Sequence, residues 1–423
     1  MQKIFFILLL MSSLIGSAQT IATFEVNLPH LANGLEVPVS TSLKDIKSLP
    51  AADSMMLMVV DGERMVAIPF QVTDDKNKTL SWLVKQWNNQ KKIVYHLIKK
   101  MPPSKIFEGI TPKAFTEITT TDKDGAYIIS DGDKNLLSYV HKKVYPPAGI
   151  DTAYGKSGFI HPLWTPHGQV LTRIQPKDHY HHYGIWNPWT HVLFEADTVD
   201  FWNIGDKKGT VRFAKLLSET SGAVFSEFKV LHEHVVFKKG DGEKIALNEI
   251  QTVRVYKPEE GSNYYIMDFT SEMSCASQSP FHIVAYRYAG FGWRATEFWT
   301  KDNSEMLTSE GKTRDSTDGT KGRWIIVYGE LPENEQGGAA MLSYPGNYNH
   351  PEPLRIWDKK ANGGRGDVFA NFAPTKDKDW ILEPGKTYTL KYRMVVFNGK
   401  FDAAKAESAW QYFAKPAEVK IVK

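Results

Sequence analysis

The chain has 423 residues, 42% hydrophobic and 23% charged, with a formal net charge of +3. That length exceeds what a single core normally serves, so two domains are expected. The composition is that of an ordinary globular protein, and the charge is too small and too evenly spread to favour nucleic acid.

The N-terminus reads as an export signal. Lys3 supplies the positive start, Ile4 to Ile15 an apolar run, and Gly16-Ser17-Ala18 a small-residue cleavage site. The run is shorter than the roughly 20 residues a spanning helix needs, and no later segment is apolar enough to span. The single cysteine, Cys275, lies deep in the chain, which excludes an N-terminal lipid anchor on cysteine and any intrachain disulfide. Export without disulfides suits a bacterial periplasm.

Beyond Gln19 the pattern is almost wholly β. Met55 to Val60, Met65 to Val72 and Ile93 to Ile98 are short apolar or alternating runs separated by turn residues such as Asp61-Gly62 and Asp74-Asp75. They predict a small β-sandwich over residues 19–120, after a signal at 1–18. Met101-Pro-Pro-Ser104 and Thr119 to Gly125 mark the boundary region. A larger domain, 121–423, begins with Tyr127 to Ser130 and Leu136 to Val144.

Within it, six of the chain's 13 histidines fall between His161 and His191. The densest part is Pro176-Lys-Asp-His-Tyr-His-His-Tyr-Gly-Ile-Trp186, followed by Trp189. Asn248 to Tyr256 alternates Ile250, Thr252 and Arg254 against Gln251, Val253 and Val255. Thr387 to Phe397 alternates Tyr388, Leu390, Tyr392, Met394 and Val396 against Thr389, Lys391 and Arg393, the mark of a half-buried antiparallel strand. Tyr264 to Phe269 and Trp324 to Tyr328 are further strands. Asn362-Gly-Gly-Arg-Gly-Asp367 reads as a flexible loop without the lysine and following helix of a phosphate-binding loop. One helix is predicted, Ala403 to Phe413, with Asp402 as N-cap and Pro416 past its end. The fold class is therefore all-β: a small N-terminal β-sandwich, a large antiparallel β-sandwich and a short C-terminal helix.

Histidine is both the usual proton carrier near neutrality and the commonest metal ligand. If Asp178 to Tyr183 is extended, His179, His181 and Tyr183 share one face, and Asp178, Tyr180 and His182 the other. His179 and His181 would then form half of a divalent-metal site, its third ligand drawn from Glu195, His232, His234 or His282. Pro176 and Gly184 equally permit a loop. Acid–base work needs less: His181 or His182 as base, Tyr183 or Tyr286 as acid, and Asp178 to orient a histidine. His161 joins the same segment. Tyr286-Arg-Tyr-Ala-Gly-Phe-Gly-Trp-Arg-Ala-Thr-Glu-Phe-Trp299 adds Arg287 and Arg294, and Arg323 follows. Arginine's planar fork suits a carboxylate or sulfate. Trp186 and Trp189 are of the type that stacks on a sugar ring. The opposing reading is a hydrogen-bonded polar core, which fits His232 and His234, in an alternating strand, better than the cluster.

His161-Pro-Leu-Trp-Thr-Pro-His-Gly168, Pro176 to Trp186, Asp200-Phe-Trp-Asn203, Gly-Phe-Gly-Trp-Arg294, Gly322-Arg-Trp324, Pro345-Gly-Asn347 and Tyr392-Arg393 resemble a bacterial family with the legacy label "methane oxygenase PmoA-like". The resemblance spans roughly residues 125–400. It implies an exported protein encoded among carbohydrate-degradation genes, with a fold similar to the galactose-mutarotase-like supersandwich. The label itself fails, because a membrane oxygenase subunit needs several spanning helices.

The expected function is β-elimination on uronic-acid-containing oligosaccharides in the periplasm. Histidine as base, tyrosine as acid and Arg294 or Arg323 as anion clamp match the residue types present. Glycoside hydrolysis and non-catalytic sugar binding are the alternatives.

Overall fold

The structure, a computed structural model, describes residues 19–61, 64–100, 115–240 and 242–422. The export signal expected at 1–18 and the Met101 to Ser104 boundary lie outside them. Among the described residues no helix is long and apolar enough to cross a membrane. Chain contacts divide the protein into one unit of Met1–Glu117, Gly222–Val224 and Gln411–Lys423, and another of Ile118–Ser221 and Phe225–Trp410.

In the first unit a five-stranded antiparallel sheet runs Glu418–Val422, Thr20–Asn27, Lys92–Lys99, Met55–Asp61, Arg64–Ile68. A three-stranded sheet runs Val37–Ser42, Thr79–Val84, Gln71–Thr73. Alternate residues of each turn inward, so Phe24, Val26, Leu57, Trp82, Tyr95 and Leu97 fill one core. Trp82 meets Phe24 and Tyr95 at 5.6 and 5.4 Å between ring centres. Ending the large domain at 423 requires correction. Glu418–Val422 pairs with Thr20–Asn27 and belongs to this unit's sheet.

The second unit is built on two large antiparallel sheets. The eight-stranded one contains the long strands Phe225–Lys238, Gly242–Tyr256, Tyr264–Cys275 and Tyr388–Asn398 in that order. The Gly242–Tyr256 strand follows the sequence reading, with Gln251, Val253 and Val255 buried, whereas Tyr388–Asn398, expected to be half-buried, is buried on both faces from Tyr392 onward, Arg393 and Val395 included. The nine-stranded sheet centres on Phe369–Phe372, Gly292–Arg294, Ile185–Trp186 and Phe159–Leu163. Its inward side chains, Ile185, Phe291 and Trp293 among them, join the same core; Phe291 lies 4.5 Å from Tyr392, nearly parallel. Each such side chain contributes about 1.5–3 kcal/mol through burial.

The helix Ala403–Ala414 forms where predicted, and Asp402 caps it by accepting from the Lys405 N–H at 2.9 Å.

A second, smaller apolar cluster joins Phe159, Tyr183, Trp186, Trp202, Ile204 and Phe369. Because side chains alternate along a strand, Arg294 projects opposite Trp293 and Trp186 opposite Ile185, and Trp186 belongs to this cluster rather than the main core. The cluster is the floor of the candidate site.

Candidate active site

The histidine segment is not a strand. The His179 N–H bonds the Pro176 carbonyl at 2.8 Å and the His182 N–H bonds the His179 carbonyl at 3.0 Å, two successive turns. The face argument for an extended segment therefore fails, for the reason that Pro176 and Gly184 allowed. The turns tip a narrow hairpin in which Ile174 bridges Tyr183 and the Gln175 N–H bonds the His182 carbonyl at 2.8 Å. Gly184 makes the base of the hairpin possible. Its φ is +53°, and a Cβ there would lie 2.1 Å from the Ile160 carbonyl oxygen.

Coiling brings together what alternation would have kept apart. One ring nitrogen from each of His179, His181 and His182 lies within 4.8 Å of the others. The ring centres are 4.7–5.3 Å apart. His182 is buried against Trp186 and Phe369, both at 5.2 Å. The His179 side chain is 34% exposed and gives the cluster its open side. Burial lowers His181 to about 4 and His182 well below its usual value, assisted by the neighbouring imidazoles and Arg294. His179 is lowered by burial too, against the opposing pull of Asp178.

Asp178 accepts from His179 Nδ1 at 2.7 Å and pairs with Arg294 Nη2 at 3.0 Å. Burial pushes its carboxyl up, but Arg294 and the His179 hydrogen bond outweigh that and hold it below the usual range. Arg294 is fully buried; its guanidinium lies 4.5 Å from the centre of the Trp357 ring and also pairs with Asp367 at 2.8 Å. Asp367 Oδ2 further receives Arg173 Nη2 at 2.5 Å and Asn362 Nδ2 at 2.6 Å, and Arg365 pairs with the same carboxylate. Burial and the Arg173 charge push the Arg294 guanidinium down to about 9, which leaves it charged at neutral pH. Strand pairing fixes this hub, since Trp186 faces Gly292 and Arg294 faces Phe369. Buried Arg314 braces the Asp367 loop from behind, donating to the Gly366 and Asp367 carbonyls at 2.5 and 2.8 Å.

Of the sequence-predicted residues, Asp178, His179, His181, His182 and Arg294 come together. The others do not. Tyr183 is buried, its hydroxyl shared between Gln175 and the Tyr154 carbonyl, so it has no free proton to offer. Tyr286 packs edge-on to His191 and Tyr288 at 4.0 and 5.0 Å, with Arg287 over both tyrosine rings. That patch is linked to the histidine floor through Tyr288 and Trp202. Arg323 pairs with Glu407 and lies over Trp410. His161 bonds Thr172 at 2.9 Å and is lowered to about 4 by burial.

Trp186 and Trp189, expected as sugar platforms, are both buried; Trp186 backs His182, and Trp189 meets Trp380 in the main core. Half-buried Trp357 borders the cluster in their place, 4.9 Å from His179. Sequence reading missed Trp357, Arg173 and Asp367, and Asp367 ends the very loop set aside as merely flexible. Of the suggested third ligands, Glu195 pairs with Lys238 and Lys244, and His282 with Asp379. His232 and His234 are sealed in the core.

This is an all-β protein with an imidazole and guanidinium centre on an aromatic floor. Residues 127–411 match the model of a family of unknown function (DUF6807), and the chain belongs to that family. No curated protein matches it. Its structure is similar to a galactose mutarotase related enzyme from Lactobacillus acidophilus, with 8% identity and a TM-score of 0.32, covering 66% of this chain and 97% of that one. A GalM/aldose epimerase homologue from C. elegans shows 10% identity and a TM-score of 0.31, covering 68% and 99%. A putative aldose 1-epimerase from Klebsiella pneumoniae shows 11% and 0.30, covering 89% and 95%.

Proposed function

We propose that this chain is a carbohydrate-active enzyme that performs β-elimination on uronic-acid-containing oligosaccharides, with proton uptake at the His179–His181–His182 cluster. The observation that carries the reading is the convergence of three imidazoles beside a guanidinium network. Arg173, Arg294 and Arg365 pair with Asp178 and Asp367, and Glu297 also lies close enough to Arg173 to act on its charge. The guanidinium groups are the positive charge on which an anionic substrate can draw. Elimination needs that charge: the proton removed is α to a carboxylate, and neutralising the carboxylate stabilises the carbanion that develops. Trp357 offers a ring at the margin of the cluster on which a sugar face can stack.

Hydrolysis fits less well. It normally needs one carboxylic acid that keeps its proton. Asp178 and Asp367 both bind Arg294 Nη2, at 3.0 and 2.8 Å, and for Asp178 that pairing, with the His179 hydrogen bond, outweighs burial and holds the carboxyl below its usual range.

Incubation with uronate oligosaccharides tests the proposal. Elimination produces the ultraviolet absorbance of a conjugated unsaturated uronate, and His179→Ala and His181→Ala abolish it. New reducing ends without that chromophore count for hydrolysis. Exchange of anomers, read by NMR, counts for an epimerase.

A further inference from the structure

Proton uptake at three converging imidazoles can be carried out by a bare ring or by water on a metal that the rings hold. We infer that His179, His181 and His182 form a three-nitrogen site for a divalent transition metal of the zinc class, with its remaining position open toward Trp357. The inference rests on the cluster being the reactive centre only for its catalytic consequence, because metal binding is measurable without turnover.

Four observations carry it. The three ring nitrogens lie within 4.8 Å of one another. Zinc–nitrogen bonds of about 2.0–2.1 Å place tetrahedral ligands about 3.3 Å apart, so side-chain shifts of under about 1 Å each complete the site. Asp178 bonds His179 Nδ1 at 2.7 Å, which leaves Nε2 as the ligand and supplies the carboxylate–histidine pairing that commonly orients metal-bound imidazoles. Asp178 is itself fixed by Arg294 at 3.0 Å. Finally, no hydrogen bond occupies a side-chain nitrogen of His181 or His182 among the described residues, and the His182 Nδ1 is buried without a partner.

An all-nitrogen set selects zinc, cobalt, nickel or copper over magnesium and calcium, which need oxygen ligands. Arg294 opposes a dication, and Asp178 and Asp367, both paired with it, offset that charge. A three-histidine site with an open position is the catalytic rather than the structural pattern, and it lowers the pKa of bound water.

The elimination then balances as follows. Metal-bound hydroxide takes the sugar C5 proton and becomes water, and the C5–H electron pair forms the C4–C5 double bond. The C4–O bond breaks, and the departing oxygen takes a proton from that water, which restores hydroxide.

The test uses the full chain, stripped with a chelator and titrated with Zn²⁺ by calorimetry and with Co²⁺ by visible absorption. One equivalent per chain is expected, at micromolar Kd or tighter, with the intense d–d bands of four-coordinate Co²⁺. His179→Ala and His181→Ala weaken binding by about 100-fold or more, and Asp178→Asn by roughly 10–100-fold. Circular dichroism of the unloaded variants should match the parent. Absence of saturable binding up to 100 times micromolar, or equal binding by the double alanine variant, overturns the inference. Binding without the unsaturated product sinks the elimination reading and leaves the metal. Full turnover by metal-free protein overturns the metal's part in the elimination and leaves the elimination reading.

Discussion

At His179, His181 and His182 three imidazoles turn toward one another, and of these rings the neighbouring carboxylate, Asp178, bonds that of His179 while also pairing with Arg294. At His232 and His234 the two rings instead flank a carboxylate, Glu249, and all three residues are fully buried. Glu249 accepts from His234 at 3.0 Å, Asn187 at 2.8 Å, Ser271 at 2.5 Å and Gln251 at 3.1 Å. Tyr139 bonds the far nitrogen of His232, and buried Lys156, pushed down to about 8 by desolvation against the pull of Glu249, completes the charge balance. Each cluster keeps an imidazole nitrogen without a hydrogen bond, so orphaned nitrogens alone do not separate them. What separates them is where the donors point. Around Glu249 they converge on an anion and the group is closed; in the 176–183 turn the rings have no such hub and one side is open. The first arrangement is that of a closed polar core, and the second is the one we propose as a binding site.

The largest effect that would sharpen this contrast lies in the sealed cluster. Glu249→Ala leaves its donors unpaired in the core and should lower stability by about 3–5 kcal/mol in denaturant unfolding, with turnover per folded molecule little changed. The open cluster should behave in reverse. His179→Ala should cut turnover of uronate oligosaccharides by about 100-fold or more while stability moves by less than about 1 kcal/mol. Equal losses of stability at both sites would erase the distinction.

A third carboxylate offers a control on pH. Glu352 is fully buried and bonded to Ser343, Asn347 and Tyr392, and desolvation raises it to about 7 against those lowering hydrogen bonds. The folded chain therefore keeps this proton where the unfolded chain has lost it. Its contribution is fully present below the usual carboxylate pKa, near 4.5, and is lost as pH rises through about 7. The wild type should lose up to about 3 kcal/mol across that window relative to Glu352→Gln, which has no such proton. A difference between the two that does not vary with pH would remove Glu352 from this role.

Gly184→Ala should cost about 2 kcal/mol or more, because the added Cβ meets the Ile160 carbonyl oxygen at 2.1 Å, and it should disturb the hairpin that carries the histidines. Tyr183→Phe is the smallest change. It removes hydrogen bonds to Gln175 and Tyr154, worth about 1 kcal/mol, and should leave turnover intact. A large loss of turnover there would return Tyr183 to the site.

Much of the fold was legible because its signals are local. Tyr388–Asn398 shows its two-residue period in the sequence, and Asp402 announces the helix it caps. The histidine turn was legible as a centre but not in shape: one-dimensional spacing cannot say whether Asp178 to Tyr183 is pleated or coiled, and the answer decides whether two rings meet or three. Trp186 and Trp189 were misread because an indole suited to a sugar face is equally suited to a core.

The sequence by itself determined an antiparallel β protein, its terminal helix and the segment where imidazoles concentrate, since each depends on residues within a few positions of one another. Only the tertiary structure decided what surrounds that segment. Asp367 stands 73 residues beyond Arg294, and it reaches the same guanidinium because Phe369–Phe372 pairs with Gly292–Arg294 and Arg314 clamps the intervening loop. Hydrogen bonding between strands is indifferent to the length of chain joining them. For that reason the site's anionic hub and its Trp357 edge came from places that no local pattern marks.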